Sequence, residues 1–73
     1  MAGFMCKVVD GNGTRWITVA VADQVTAEEM VRKEYPSAKV ESAAVSAQFI
    51  DFTHVAPGRM KDWGEGTILT TIF

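Results

Sequence analysis

The sequence has almost none of the side chains from which small catalytic or metal sites are built. It contains one cysteine, Cys6, and one histidine, His54, and they fall in different predicted segments. A metal site needs three or four ligands from His, Cys and carboxylates, and the acidic residues are scattered along the chain. A Cys–His nucleophile pair is the one catalytic arrangement that remains. We therefore expect a protein that is not an enzyme and that binds no cofactor or metal.

Long apolar runs and an excess of either charge are also missing. No apolar stretch approaches the roughly 18 residues of a membrane-spanning helix, and the first residues lack the basic start and apolar run of a signal peptide. A single cysteine permits no intramolecular disulfide, which small secreted domains usually need. The formal charge of −2 and the pI of about 5.2 give no general attraction to nucleic acid or anionic membrane. These absences predict a cytoplasmic protein with no membrane contact.

What is present is a chain of ordinary globular composition, with 48% hydrophobic and 22% charged residues. That balance argues against a disordered chain. The length of 73 residues predicts a single domain, residues 1–73. Because so short a chain buries only roughly 60% of the surface that its unfolded form exposes, its core should be thin and its stability marginal.

The clearest predicted element is a helix over residues 25–36. Thr26 followed by Glu29 is a capping box, in which the hydroxyl accepts a backbone N–H and the carboxylate reaches back. The valine just before that cap can pack on Met30 as a hydrophobic staple. Pro36 pushes the preceding residue out of the helical region, so the helix should stop there. We expect this helix to pack on one face of a sheet.

Two β-rich runs, residues 4–9 and 14–21, flank the strongest hairpin signal in the sequence. Asn12-Gly13 suits the two central positions of a type I′ turn, which require positive φ angles. Such a turn places three apolar cross-strand pairs on one face of the hairpin. Those pairs are Val8 with Ile17, Cys6 with Val19 and Phe4 with Val21.

A second register competes with this one. A turn at Gly11-Asn12 would pair Val8 with Arg15, which places a cation opposite an apolar residue. We therefore prefer the first register. Cys6 then points towards the helix, where it behaves as a small hydrophobic residue.

The middle of the chain, residues 38–55, is the least readable. Its apolar positions alternate at odd numbers up to Phe49 and at even numbers from Ile50. One strand of this length would far exceed the usual roughly five or six residues, so we expect a β-bulge or a break into two strands. A second helix over residues 42–49 is the weaker alternative, because serine and valine lower helix propensity.

The remaining segments complete a small α+β domain. Pro57-Gly58 predicts a turn, residues 59–66 a loop, and residues 67–73 a final strand. A right-handed crossover through the helix can place strand 3 beside strand 1, antiparallel to it. The predicted fold is β-β-α-β-β, a four-stranded, mainly antiparallel sheet of order 2-1-3-4 with one helix packed on one face.

Two surfaces are candidates for binding a partner. The sheet face away from the helix is less polar than a solvated face should be, with an arginine nearby on the other face. The 59–63 loop joins a tryptophan to cations, a combination that can stack a base or anchor a protein contact. Alternatively, the 56–66 segment half covers the sheet face and its tryptophan caps a small core. The candidate partner-binding residues are Met5, Lys7, Val9, Arg15, Trp16, Arg59, Lys61 and Trp63.

These observations predict a small non-catalytic protein-binding module, an accessory subunit or an inhibitor of a larger complex, of a size common in phages and mobile elements. Free strand edges offer unpaired backbone groups, so the partner can be another protein or a second copy of this chain. The alternative is a single-stranded nucleic-acid-binding protein that uses Trp16 and the 59–63 loop. The acidic pI and the absence of an RNA-recognition motif weigh against it. A small enzyme comes third.

Overall fold

The computed structural model describes residues 3–64, which form a four-stranded antiparallel sheet and two helices. In chain order the elements are β1 Gly3–Asp10, β2 Gly13–Val19, α1 Gln24–Glu34, β3 Lys39–Val45, α2 Ala47–Thr53 and β4 Met60–Gly64. The strand order is β3-β1-β2-β4, and every neighbouring pair is antiparallel. The predicted α+β class is confirmed. Within residues 3–64, neither helix is long and apolar enough to span a bilayer.

The β1–β2 hairpin forms in the register that the sequence analysis rejected. Asp10 pairs with Gly13 and Val8 with Arg15, so the two turn residues are Gly11 and Asn12. The carboxylate of Asp10 accepts the backbone N–H of Asn12 at 2.8 Å, and Gly13 takes a φ of 130°, which only glycine adopts readily. The two registers differ by two residues, so every side chain keeps its face. Apolar alternation therefore could not separate them.

The N-cap of helix α1 is Asp23, three residues before the predicted cap Thr26. The carboxylate of Asp23 accepts both the backbone N–H and the hydroxyl of Thr26, each at 2.9 Å. The Asp23 carboxylate thus accepts a free N–H of the first turn, the role that the prediction gave to Thr26 for the N–H of Glu29. Val25 therefore lies inside the first turn and is 63% exposed, so the predicted staple is wrong. The predicted stop is confirmed, because the helix ends at Glu34, two residues before Pro36.

Helix α1 covers the sheet face that we call the α1 face, on which even-numbered β1 residues and odd-numbered β2 residues lie. Ala27 and Val31 of the helix are fully buried there. Cys6 also points to this face and is fully buried, as the sequence predicted. The sheet residues in this core are Cys6, Val8, Ile17 and Val19.

Residues 38–55, the least readable part of the sequence, contain a strand followed by a helix. The prediction of a β-bulge or of two strands is therefore wrong. Strand β3 pairs with β1 as predicted, and Ser46 then caps α2 by accepting the N–H of Phe49 at 3.2 Å. The phase change at Phe49 and Ile50 marks a change of period from 2 to 3.6. Together with Thr53 these residues form the buried side of α2. The alternative prediction, a helix over residues 42–49, placed this helix about one turn too early in the chain.

Helix α2 packs on the opposite sheet face, the α2 face, so the prediction of a single helix on one face is wrong. Its buried side chains cover the end of the sheet where β1 begins and β2 ends. They form a second core cluster of Met5, Ala20, Phe49, Ile50 and Val55. Trp16 and Val45 pack against its margin.

Strand β4 corrects the predicted strand order from 2-1-3-4 to 3-1-2-4. It occupies part of the predicted 59–66 loop and pairs with β2, not with β3. The turn before it docks on the end of β2: Gly58 N–H donates to the Ala20 carbonyl at 2.7 Å, and Ala20 N–H donates to the Arg59 carbonyl at 2.9 Å. These two bonds direct the chain along the free edge of β2. The strand predicted over residues 67–73 lies outside the described residues.

Candidate protein-binding face

Helix α2 covers only one end of the α2 face. The part that it leaves uncovered carries side chains from β1, β2 and β4, and we call it the open α2 face. Its residues are Lys7, Val9, Trp16, Lys61 and Trp63. All five belong to the predicted set of partner-binding residues. The structure thus brings the predicted sheet-face residues and most of the predicted loop residues onto one surface.

The other three predicted residues lie elsewhere or are covered. Met5 is 6% exposed beneath α2, so it supports the face without being free to contact a partner. Arg15 points to the α1 face, where its guanidinium hydrogen-bonds to Tyr35 and Asp62. Arg59 is exposed just before β4, and its carbonyl accepts a hydrogen bond from the end of β2.

Trp63 is fixed to the sheet by its indole N–H, which donates to Thr18 Oγ1 at 2.9 Å. Thr18 is fully buried, and its hydroxyl lies 3.8 Å from the sulfur of Met5, a distance that suits a weak hydrogen bond to sulfur. Hydrogen bonds therefore connect Trp63 through Thr18 to Met5, which lies beneath α2. It orients the half-buried indole ring before any partner arrives.

Trp63 follows Asp62 of the α1 face, so strand alternation places it on the α2 face with Lys61, and a β-bulge occurs at this residue. Trp16 opposes Gly64 and Ile17 opposes Asp62, so Trp63 is the extra residue of β4. Gly64 takes a φ of 66°, and its N–H donates to Asp62 Oδ1 at 2.8 Å, which closes the bulge. A bulge changes the direction of a side chain. In β4 the bulge occurs at Trp63, whose indole lies on the α2 face and contacts Thr18.

Each tryptophan lies beside a lysine. Lys61 Nζ is 4.1 Å from the centre of the Trp63 ring, well within the range of a cation–π contact of about 6 Å. Lys7 Nζ is 6.0 Å from the centre of the Trp16 ring, at the limit of that range. Lys61 is thus held on its ring more closely than Lys7, which remains able to pivot towards another group.

A groove of about 430 Å³ runs from Lys7 and Trp16 to β3, which is an edge strand of the sheet that residues 3–64 form. Five consecutive β3 residues line it, and the small side chain of Ala43, which lies opposite Met5 on this face, helps to keep it open. Its complete lining is Met5, Lys7, Trp16, Glu41, Ser42, Ala43, Ala44 and Val45. The sequence analysis missed the contribution of β3, although Ser-Ala-Ala within a strand is a signal of low side-chain bulk.

Cations outnumber acids on the strands of the α2 face. The register places Lys7 opposite Glu41 and Val9 opposite Lys39, and Lys61 lies on the same face in β4. Among the described strand residues of this face, three are lysines and one is a glutamate. The whole chain carries a formal charge of −2, so positive charge is concentrated on this face.

The candidate catalytic residues stay apart. Burial, with a smaller contribution from Glu28, raises the pKa of the Cys6 thiol to about 11, which disfavours the reactive thiolate. His54 is exposed and ends α2 in a left-handed conformation with a φ of 56°. In the part of the chain that the structure describes, no group of three or more His, Cys, Asp or Glu side chains could hold a metal ion.

Comparison with known proteins gives no relative for this chain: no family model, curated protein or solved structure matches it.

Proposed function

We propose that this chain is a small non-catalytic protein-binding module that contacts its partner through the open α2 face and the groove beside β3. Such a module would serve as an accessory subunit or an inhibitor of a larger complex. The observation that carries the proposal is a mainly apolar groove beside β3 that Trp16 lines, on the same sheet face as the half-buried Trp63.

The two tryptophans are suited to anchoring a protein contact. Trp16 packs against the cluster beneath α2, and Trp63 is held by its bond to Thr18. An anchor that is already oriented loses little conformational entropy on binding. Tryptophan is also among the residues that contribute most binding free energy at protein interfaces.

Single-stranded nucleic acid is the second candidate ligand, because two lysine–tryptophan pairs occur on neighbouring strands. A base would have to stack on an exposed ring face. Lys61 already lies over the Trp63 ring at 4.1 Å, and the groove is lined mainly by apolar side chains and small residues. The first feature competes with stacking, and the second suits a side chain better than a phosphate. We therefore rank nucleic acid below protein.

Affinity capture from a lysate of the source cells tests the proposal. The bait is the full chain, compared with Trp16→Ala on the face and with Phe52→Ala as the control. Phe52 is a 61% exposed aromatic residue on α2 that does not line the groove. We expect the wild type and Phe52→Ala to retain the same partner and Trp16→Ala to lose it. Equal capture of the partner by all three folded proteins would show that the partner does not bind to this face.

Titration of the intrinsic tryptophan fluorescence with single-stranded DNA and RNA tests the second candidate. Bases stacked on the two tryptophans of the open α2 face would quench their fluorescence. We expect no quenching at moderate salt, because Lys61 already lies over the Trp63 ring and the groove is lined mainly by apolar side chains. Saturable quenching that weakens steeply with salt would instead favour nucleic acid.

A further inference from the structure

We propose that the open α2 face binds an extended acidic–apolar segment of another protein, with a carboxylate placed at Lys7 and an apolar side chain in the groove beside β3. This inference rests on the proposed function and names the chemistry of the partner. Three features of the described residues carry it: a lysine without an anion, the shape of the groove and the charge of the face.

Lys7 is a half-buried cation in the wall of a mainly apolar groove. Within residues 3–64, the ion pairs join Arg15 to Asp62 and Arg32 to Glu28, so Lys7 has no carboxylate at ion-pair distance. Glu41 lies opposite Lys7 across the strands but not at ion-pair distance, and the Lys7 ammonium lies 6.0 Å from the centre of the Trp16 ring. A partly desolvated ammonium gains more from a carboxylate than a fully solvated one does. The groove therefore contains a site at which a ligand carboxylate would be stabilised.

The shape of the groove favours an extended segment. It follows β3 from Glu41 to Val45, which at about 3.3 Å per residue spans roughly 13 Å. Its inner wall is formed by Met5 and Trp16. A strand-like peptide that runs parallel to this wall would direct alternate side chains into the groove. One apolar side chain would then lie against Ala43 while a neighbouring residue reaches Lys7.

The charge of the face argues against a second copy as the occupant. In a two-fold contact the same patch meets itself, so the patch with Lys7, Lys39 and Lys61 would meet the same three lysines, with one glutamate per chain to offset them. An acidic partner instead finds complementary charge. Lys61 lies two strands from Lys7, roughly 10 Å away at the usual strand spacing, and would add attraction at longer range.

Selection from a random-peptide display library against the immobilised full chain tests this inference. We expect the enriched peptides to combine Asp or Glu with a large apolar residue. A synthetic peptide of the enriched sequence should bind the wild type and lose about tenfold or more in affinity with Lys7→Glu, as expected for a charge-assisted hydrogen bond. The matched control, Lys33→Glu on the exposed side of α1, should bind as the wild type does. Selection against Lys7→Glu should enrich basic peptides.

The outcomes separate the inference from the proposed function. Enriched peptides that lack acids but are lost with Trp16→Ala would overturn the acidic specificity and leave the protein-binding function standing. If no peptide were enriched, binding of an extended segment would be overturned. The affinity capture from lysate would still test the proposed protein-binding function. Self-association that is abolished by Trp16→Ala would make a second copy the occupant. Binding of a synthetic peptide with the sequence of residues 65–73, in competition with the selected peptide, would assign the groove to this chain itself.

Discussion

Arg15 and Asp62 form an ion pair, with 2.7 Å between Nη1 and Oδ2, that joins β2 to β4 on the α1 face. Tyr35, the C-cap residue of α1, donates its hydroxyl proton to the same carboxylate and accepts a hydrogen bond from Arg15 at 2.7 Å. The guanidinium also lies 5.0 Å from the centre of the tyrosine ring. The cluster thus connects the end of the helix to the edge strand that carries Trp63.

The pKa values of this cluster define a pH window for its contribution to stability. Partial desolvation favours the protonated form of Asp62, but hydrogen bonds from Tyr35, the Gly64 N–H and Arg15 outweigh it, so the pKa of the carboxyl is lowered. The hydrogen bond to Asp62 and partial desolvation raise the pKa of Tyr35. The Asp62 contribution is therefore present above its unfolded pKa of about 3.9 and lost as pH falls. The Tyr35 contribution is present below about pH 10 and lost as pH rises.

We predict that Asp62→Asn destabilises the protein near neutral pH and that this difference shrinks in acid. The amide cannot form the ion pair, whereas protonation removes the same interaction from the wild type at low pH. Urea unfolding of both proteins at about pH 7 and about pH 3 measures the two differences. Asp51→Asn, an exposed site on α2, is the control. A difference that stays the same at both pH values would mean that the ion pair contributes nothing to the pH dependence.

A second prediction concerns the bond that orients Trp63. Thr18→Val keeps the shape of the buried side chain and removes the acceptor of the indole N–H. We expect a loss of about 0.5–1.5 kcal/mol in the free energy of unfolding, the usual net value of one hydrogen bond. In a Trp16→Phe background, the emission of Trp63 should shift and its anisotropy should fall, because the ring is no longer held.

The control for this prediction is Thr14→Val, on the same strand and the same face. It is half-buried, and the structure shows no side-chain hydrogen bond to it. Its effect on Trp63 emission should be negligible. If Thr18→Val also left the emission of Trp63 unchanged, the bond would not be what orients the ring.

Local signals predicted the elements better than their arrangement. Pro36 correctly ended α1, and alternation in β1 correctly assigned Cys6 to the side of the helix. The hairpin register failed because a shift of two residues leaves the faces unchanged. The order of the sheet failed because Gly58 and Ala20, far apart in sequence, bond to each other and bring β4 to the edge of β2. Pairing between residues so far apart in the chain could not be predicted from this one sequence.

The candidate site was predictable to the extent that it depends on residue chemistry. Trp16, Trp63 and the two lysines beside them were chosen because aromatic residues and cations form contacts, and the structure places all four on one face. The groove was not predictable, because it depends on β3 and α2. The periodicity change at Ile50 held the information that a helix follows β3, but it was interpreted as a strand break.

We predict that Cys6 reacts with thiol reagents only when the chain unfolds. The residue is fully buried between the sheet and α1, and its pKa of about 11 leaves little thiolate at neutral pH. The labelling rate with a thiol-specific disulfide reagent should be very low in buffer and should rise to that of a free thiol in denaturant. Its dependence on urea should then follow the unfolding curve. Rapid labelling of the folded protein would contradict the placement of Cys6 in the core.

The last prediction concerns Gly3, where β1 passes beneath α2. A Cβ atom at this position would lie 2.5 Å from the Val19 carbonyl oxygen and 2.7 Å from Cδ1 of Ile50. The backbone oxygen cannot move aside cheaply, so Gly3→Ala should separate β1 from β2 or displace α2. We expect a loss of about 1–3 kcal/mol in the free energy of unfolding, as for overpacking of a core.

Gly11→Ala is the matched control for this prediction. Gly11 lies in the hairpin turn, and a Cβ atom there would have no heavy atom within 4 Å. Its effect on the free energy of unfolding should stay within about 0.5 kcal/mol. Urea unfolding compares the two variants with the wild type. Because Gly3 adjoins the covered end of the α2 face, Gly3→Ala should also weaken any partner bound in the groove, whereas Gly11→Ala should not. Equal stability of both variants would mean that β1 and α2 are not packed as closely as the structure describes.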